Sequence, residues 1–190
     1  MPAKTDHDAR RRDVSAAVWR VVAEGGFGAL TLRSVAAELG ASTGLVTHYF
    51  GSKQQLIRHA LELAEDRTRA SIPEVTDLRT ALAAVLPTTP EVTEISRVWV
   101  SSWDVALAEP ELHALERARY RRWRTRLRPL VIKAQSVGDL PPGDPGDLAT
   151  GLAAFAHGLV VQALFDPTTY TPKRQLRILD THLAALRPSD

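Results

Sequence analysis

A chain of 190 residues that is 44% hydrophobic and 24% charged is ordinary for a water-soluble globular protein and long enough to bury a real core. With no cysteine it can form neither disulfides nor thiolate metal sites. The formal net charge of +2 says little about nucleic acid, although residues 1–60 hold eight Lys/Arg against five Asp/Glu.

Residues 1–9 read as an arm ahead of a helix opened by Arg10, Arg11 and Arg12, which could touch phosphates or a minor groove or could simply be a solvated helix start. Val14, Val18, Val21 and Val22 form the apolar stripe of that helix, with Ala17 and Trp19 beside it. Gly25-Gly26-Phe27-Gly28 ends it. A phosphate loop is rejected there, because the glycines follow a helix and lack the spacing of either nucleotide motif; Phe27 is expected to plug a small core instead. From Thr31 to Lys53 the chain reads as a helix, a glycine turn and a second helix. Leu32, Val35, Ala36 and Leu39 make one buried stripe, Thr31 can cap it, and Gly40 suits a left-handed C-cap. Ser42 and Thr43 can cap a second helix running through Phe50. Two helices of this length joined by a short turn form a helix-turn-helix, and neither is long enough to be stable undocked.

Val46 and Phe50 can face inward, which leaves Thr43, Gly44, Thr47, His48 and Tyr49 as a small, neutral, hydrogen-bonding set that suits a major groove. Thr31, Arg33, Ser42 and Lys53 flank it, and Thr31, Arg33, Tyr49 and Lys53 could hold phosphates. A polar surface helix in an ordinary bundle would show the same pattern. The run T-L-x-x-V-A-x-E-L-G-A-S-x-G-L-V-x-x-Y-F-x-S-K-x-x-L, preceded by a helix, resembles the N-terminal domain of TetR-family transcriptional regulators over about residues 10–60. The resemblance implies an all-helical, DNA-binding, usually repressing homodimer with a ligand-sensing C-terminal domain. Thr47 stands where that family often carries an aromatic residue.

Ser52 and Gln55 read as a capping box for a helix with Leu56, Ile57, Ala60, Leu61 and Ala64 on its buried face, running to Ser71 before Pro73. Five more helices are expected. Asp77 caps a short one ended by Pro87 and Pro90, and the next runs from Glu91 to Ala108. Pro110 opens one continuing toward Gln135, which Pro129 should kink or divide. After the turn-rich stretch at 138–146 come Asp147–Phe165 and Pro172–Leu186. The first of this pair is apolar over most of its circumference, so it must be buried in a core or between subunits. Leu148, Gly151, Leu152, Ala154, Phe155, Gly158 and Leu159, with Leu176, Leu179, Leu183 and Leu186, are the expected homodimer interface, a four-helix arrangement of two-fold symmetry; the competing reading is a hairpin within a monomer. The stretch DLATGLAAFAHGLVVQALFDP and the Y-x-x-W at Tyr120–Trp123 resemble the C-terminal domain of the BetI-like branch of the same family. His157 stands where that branch commonly has an acidic residue, so the resemblance supports architecture and pairing and not a choline-type ligand.

Trp99, Trp103, Tyr120, Trp123, Phe155 and His157 could line a ligand cavity, with Arg97, Ser102, Asp104 and His157 orienting a ligand; each aromatic could equally be plain core. Seven arginines between Arg117 and Arg128 could face an acidic partner, or could be a solvated face whose stems cover aromatics. Six dispersed histidines and the lack of a nucleophile elbow or paired carboxylates argue against an enzyme and a metal. No cofactor is expected beyond a small-molecule effector of unknown identity. The N-terminus lacks an apolar export segment, and Leu148–Phe165 reads as too short and polar to span a membrane, so a cytoplasmic protein is expected. The expectation is all-α with about nine helices: a three-helix helix-turn-helix domain at 1–52, a connecting helix at 53–71, and a C-terminal helical ligand-binding and dimerisation domain at 72–190. Its function would be transcriptional regulation, as a repressor released from a double-stranded, palindromic operator by a small molecule. The alternatives are a ligand-dependent activator or a helical interaction protein that keeps the fold without reading DNA.

Overall fold

The computed structural model describes residues 3–72, 75 and 77–188. Within these residues the chain is helical throughout, in ten helices: α1 (Ala3–Ala29), α2 (Leu32–Glu38), α3 (Thr43–Phe50), α4 (Lys53–Ser71), α5 (Leu78–Ala83), α6 (Pro90–Ser101), α7 (Trp103–Ala108), α8 (Pro110–Ser136), α9 (Pro145–Phe165) and α10 (Pro172–Ala185). The expected Glu91–Ala108 helix is thus two. Ser101 and Ser102 donate their hydroxyls to the carbonyls of Val98 and Trp99, at 2.9 and 2.7 Å, a local competition that bends a helix at a serine pair.

Helix starts follow the side chains that can accept a backbone N–H. Thr31, Ser42, Ser52, Asp77, Thr89 and Asp144 each cap a helix through a side-chain oxygen. Asp144 moves the start of α9 two residues ahead of the expected Asp147. After α2, Gly40 takes φ 61 while its N–H reaches Ala37 and that of Ala41 reaches Ala36, satisfying the last carbonyls. Three expectations fail on local grounds. The N-terminal arm is already helical from Ala3, so Arg10, Arg11 and Arg12 are exposed within α1 and do not open it; residues 1 and 2 lie outside the described residues. Of the two expected effects of Pro129 on α8, division does not occur: the residue sits exposed on a continuous helix, where water can serve the carbonyl it leaves unpaired. And α9, at 21 residues with mean hydropathy 1.7 over its most apolar window, is long and apolar enough to cross a membrane, contrary to the sequence reading; here it packs against α6, α8 and α10. Pro73, expected to stop α4, is outside the described residues.

Two hydrophobic clusters organise these helices. The first joins Val14, Val18 and Val22 of α1, Phe27, Val35 of α2, Val46 and Phe50 of α3, Leu56 and Ile57 of α4, and Ile95 and Val98 of α6. It runs on past residue 52, so packing is continuous where a domain boundary is expected. The second joins Leu78 and Leu82 of α5, Leu127 and Val131 of α8, Leu152 and Ala156 of α9, and Leu179 of α10. Buried Gln175 donates to the carbonyls of Tyr170 and Pro87, tying the α5–α6 connection to α10.

Near its end α1 breaks at Gly26 (φ 67, ψ −174), a conformation essentially confined to glycine, which turns Phe27 back into the first cluster. A Cβ on Gly26 would also come within 3.1 Å of the Ser101 Cβ, whereas one on Gly40 would meet nothing within 4 Å. Gly26→Ala is therefore expected to cost about 3 kcal/mol and Gly40→Ala about 1 kcal/mol, read as shifts in the urea midpoint of the full chain. Equal losses would contradict the contact with α6.

Candidate DNA-reading face and effector cavity

The geometry of α3 begins with what it buries. Val46 is fully buried and Phe50 nearly so, each seated in the first cluster, so the opposite face must point outward. On it Thr43, Gly44, Thr47 and His48 are all exposed, as are Thr31, Arg33, Ser42 and Lys53 around it. Tyr49 is half-buried against the first cluster and meets His48 edge to face. The Thr47 hydroxyl donates to the Thr43 carbonyl at 2.9 Å, which fixes its rotamer and leaves an oxygen lone pair and a methyl group for an outside partner. Thr31 and Ser42 are engaged as helix caps, their side-chain oxygens accepting from the N–H groups of Ser34 and Leu45. Nothing inside the protein demands Gly44, because a Cβ there would meet only the Ser42 oxygen, at 3.8 Å. Its bare backbone faces solvent at the first turn of α3, where a second surface can approach closely.

The second feature is a cavity of about 70 Å³ lined by α4, α6, α8 and α9, by Trp103 of α7 and by Ala84 and Val85 after α5. Of the expected lining residues it gathers Trp99, Trp103, Tyr120 and His157. The others are elsewhere. Arg97 and Asp104 are exposed on α6 and α7, and Ser102 is buried with its hydroxyl on the Trp99 carbonyl. Trp123 packs into the second cluster, and Phe155 stacks on His182 of α10 with ring centroids 3.8 Å apart. Helical periodicity misplaced them because it gives a direction around one helix and not which neighbour stands there. Sequence reasoning missed Arg119, which lines the cavity, and the apolar wall of Val85, Val92, Ile95, Val160 and Val161. Arg119 was masked by six neighbouring arginines; its distinguishing signal was the i,i+3 spacing from Glu116, with which it forms a salt bridge at 2.9 Å.

The cavity adjoins the connecting helix. Trp99 donates its indole N–H to Thr68 of α4 at 2.9 Å, so the cavity wall and α4 are joined directly. At its other end α4 contributes Leu56 and Ile57 to the cluster holding Phe50. The face expected to pair two chains is only partly available. Leu152, Leu159 and Leu179 are buried within the chain's own core and have no surface to offer a partner. Gly151, Ala154 and Gly158 are exposed in line on α9, with the strongly exposed Phe165 at its end, while Leu148, Phe155, Leu176, Leu183 and Leu186 are half-buried. Of the arginine run, Arg122 meets Glu65 at 3.2 Å and Arg117, Arg121, Arg126 and Arg128 are exposed.

His157 is the one group whose titration the cavity alters strongly. Burial first, and then the neighbouring Arg119 charge, push its pKa down to about 4, against a hydrogen bond to the Ala153 carbonyl that acts the other way. It is neutral at pH 7. The unfolded chain protonates this ring near 6.5 and the folded chain does not until about 4, so stability is full above 6.5 and is lost as pH falls toward 4. His157→Phe should flatten that loss: melting temperatures followed from pH 7 to pH 4.5 would fall less than in the parent chain. Partly buried His59, lowered chiefly by burial, contributes in the same direction and stays in both proteins.

Comparison with known proteins agrees with this geometry. Residues 15–60 match the family model for bacterial regulatory proteins of the tetR family, and residues 74–188 match that for the C-terminal region of BetI-type transcriptional repressors. The HTH-type transcriptional regulator BetI of Burkholderia thailandensis is 30% identical over 195 residues, spanning 98% of this chain and 97% of that protein. BetI of Burkholderia cenocepacia is 30% identical over the whole of both chains. Among solved structures, a putative transcriptional regulator from Saccharomonospora viridis, in complex with choline, superposes with TM-score 0.83 at 25% identity, covering 96% of this chain and 100% of that one. A transcriptional regulator from Rhodococcus sp. Rha1 gives TM-score 0.80 at 25% identity, with 92% and 94% covered.

Proposed function

The chain belongs to the TetR family of DNA-binding transcriptional regulators, with a BetI-type C-terminal region, and on that premise we propose a homodimeric, cytoplasmic repressor that a small molecule releases from a palindromic operator. The observation that carries the reading is the outward face of α3. Its polar groups are small, Val46 and Phe50 fix its orientation, and Gly44 presents bare backbone where a DNA strand would pass. Thr47 and His48 meet base edges, while Arg33 and Lys53, at the starts of α2 and α4, meet phosphates. One eight-residue helix reads few bases, so two copies related by two-fold symmetry place a pair of α3 helices one DNA turn apart. Pairing through α9 and α10 uses the bare stripe of Gly151, Ala154 and Gly158, at which the two α9 helices approach closely.

An effector in the cavity acts through α4. Enlarging the cavity moves Trp99, Trp99 is bonded to Thr68, and α4 carries the displacement to the cluster under α3. Pairs of α3 helices whose separation no longer fits the operator then bind it less tightly. By linkage the operator must weaken effector binding by the same factor.

Two substitutions test this reading without disturbing the fold. Gly44→Ala should stabilise α3 by about 1 kcal/mol, since alanine is the better helix former, and yet weaken operator binding in a gel-shift titration against a duplex selected from a random pool. Stronger or unchanged binding would remove α3 from the DNA contact. Gly158→Glu adds a Cβ that meets nothing within the protomer at an exposed position, so the melting behaviour of the isolated chain should persist. Sedimentation should show the dimer converted to monomer, with operator affinity lost. A dimer that tolerates glutamate there pairs through another face.

A further inference from the structure

The cavity's charge balance restricts what can occupy it. A cationic ligand needs aromatic faces and an uncompensated carboxylate. Two of the cavity's three aromatic rings are already covered by a cation, and the nearest carboxylate is already compensated. The Arg119 guanidinium lies 4.0 Å from the Trp99 ring centroid and 4.4 Å from that of Tyr120, filling the space a cation would use against those rings. Two of its N–H groups donate to one oxygen of Glu116, at 3.0 and 2.9 Å, and both side chains are largely buried. The pair is neutral as a unit. Glu116 does not line the cavity, and among the described residues no other carboxylate does. An anionic ligand fares no better, because the Arg119 charge is already balanced by Glu116 and His157 is uncharged at pH 7. Either ion would be buried without a counter-ion, at the full cost of desolvation.

Among the described residues of the cavity wall, one fully buried donor is left without a partner. The Trp103 indole N–H is buried and, among the described residues, finds no hydrogen-bond acceptor, although the ring lines the cavity. An orphaned buried donor is costly to the protein until something accepts from it. Most of the remaining wall is branched aliphatic.

We propose that the effector is an uncharged, branched apolar molecule with one hydrogen-bond acceptor, seated on the Trp103 N–H, and that Arg119 sets this specificity by occupying the aromatic faces a cation would need. The inference rests on the reading of this cavity as the effector site. It separates the chain from the choline-bound structural neighbour, whose ligand carries a full positive charge.

Three probes of one shape and different charge test it on the full-length protein by calorimetric titration at pH 7. They are choline; dimethylbutanol, which puts carbon where choline has nitrogen; and dimethylbutanoate. Dimethylbutanol should bind at least about tenfold more tightly than either ion. Choline or the carboxylate binding as tightly, or none of the three binding, overturns the proposal. Trp103→Phe should weaken dimethylbutanol about fivefold without changing the order. Arg119→Gln vacates the aromatic faces and leaves Glu116 uncompensated, so choline should become the tighter ligand; an unchanged order in a folded variant overturns Arg119's role. Should that variant fail to fold, the parent's rank order still decides the proposal. Operator binding by the same preparations separates the two readings. DNA binding with the wrong probe order sinks this inference alone, and failure to bind any duplex sinks the regulator reading.

Discussion

An eight-residue helix cannot hold itself together in water, and α3 exists because Val46 and Phe50 are clamped in a cluster built from six other helices. Everything attributed to the DNA-reading face depends on that clamp. It orients Thr47 and His48 outward, and it makes the position of α3 a property of α1, α4 and α6 as much as of its own sequence. The same cluster reaches Ile95 and Val98 on α6, one face of which lines the cavity. A helix too short to be independent thereby shares its packing with a helix that walls a distant cavity. Close packing carries the strain, because interiors at crystal-like density transmit displacement instead of absorbing it.

How much of this was legible in the sequence divides along the range of the interaction. Thr31, Ser42, Ser52 and Asp77 act on backbone groups three residues away, and Gly40 acts on its own turn, so the helix-turn-helix and its caps could be read directly. The inward direction of Val46 and Phe50 also follows from periodicity alone. The break at Ser102 was hidden, because serines in mid-helix carry no obligation to bend it. The partners of Trp123 and Phe155 were hidden for a different reason. Each faces inward, but into the second cluster and α10, and one-dimensional spacing does not say which core lies on which side. The cavity was half read: four aromatic or imidazole residues were found, and Arg119, which covers two of its rings, looked like one member of a solvated run.

Arg119 and Glu116 illustrate how a buried ion pair can matter more for selectivity than for stability. Such a pair gains little over an apolar replacement once desolvation is counted. What it does here is fill space against two aromatic rings with a charge that cannot leave without stranding its partner. Trp99 then stands between that pair and Thr68 of α4, so the chemistry of the cavity and the mechanics of the connecting helix meet at a single side chain.

The 21 residues of α9 serve two masters. His157, Val160 and Val161 look into the cavity, while Gly151, Ala154 and Gly158 lie bare on the outside of the same rod. A rigid helix cannot rotate to suit one side without disturbing the other. A substitution that turns α9 to reshape the cavity therefore also re-aims the bare stripe on its outer side, so the two surfaces are mechanically one.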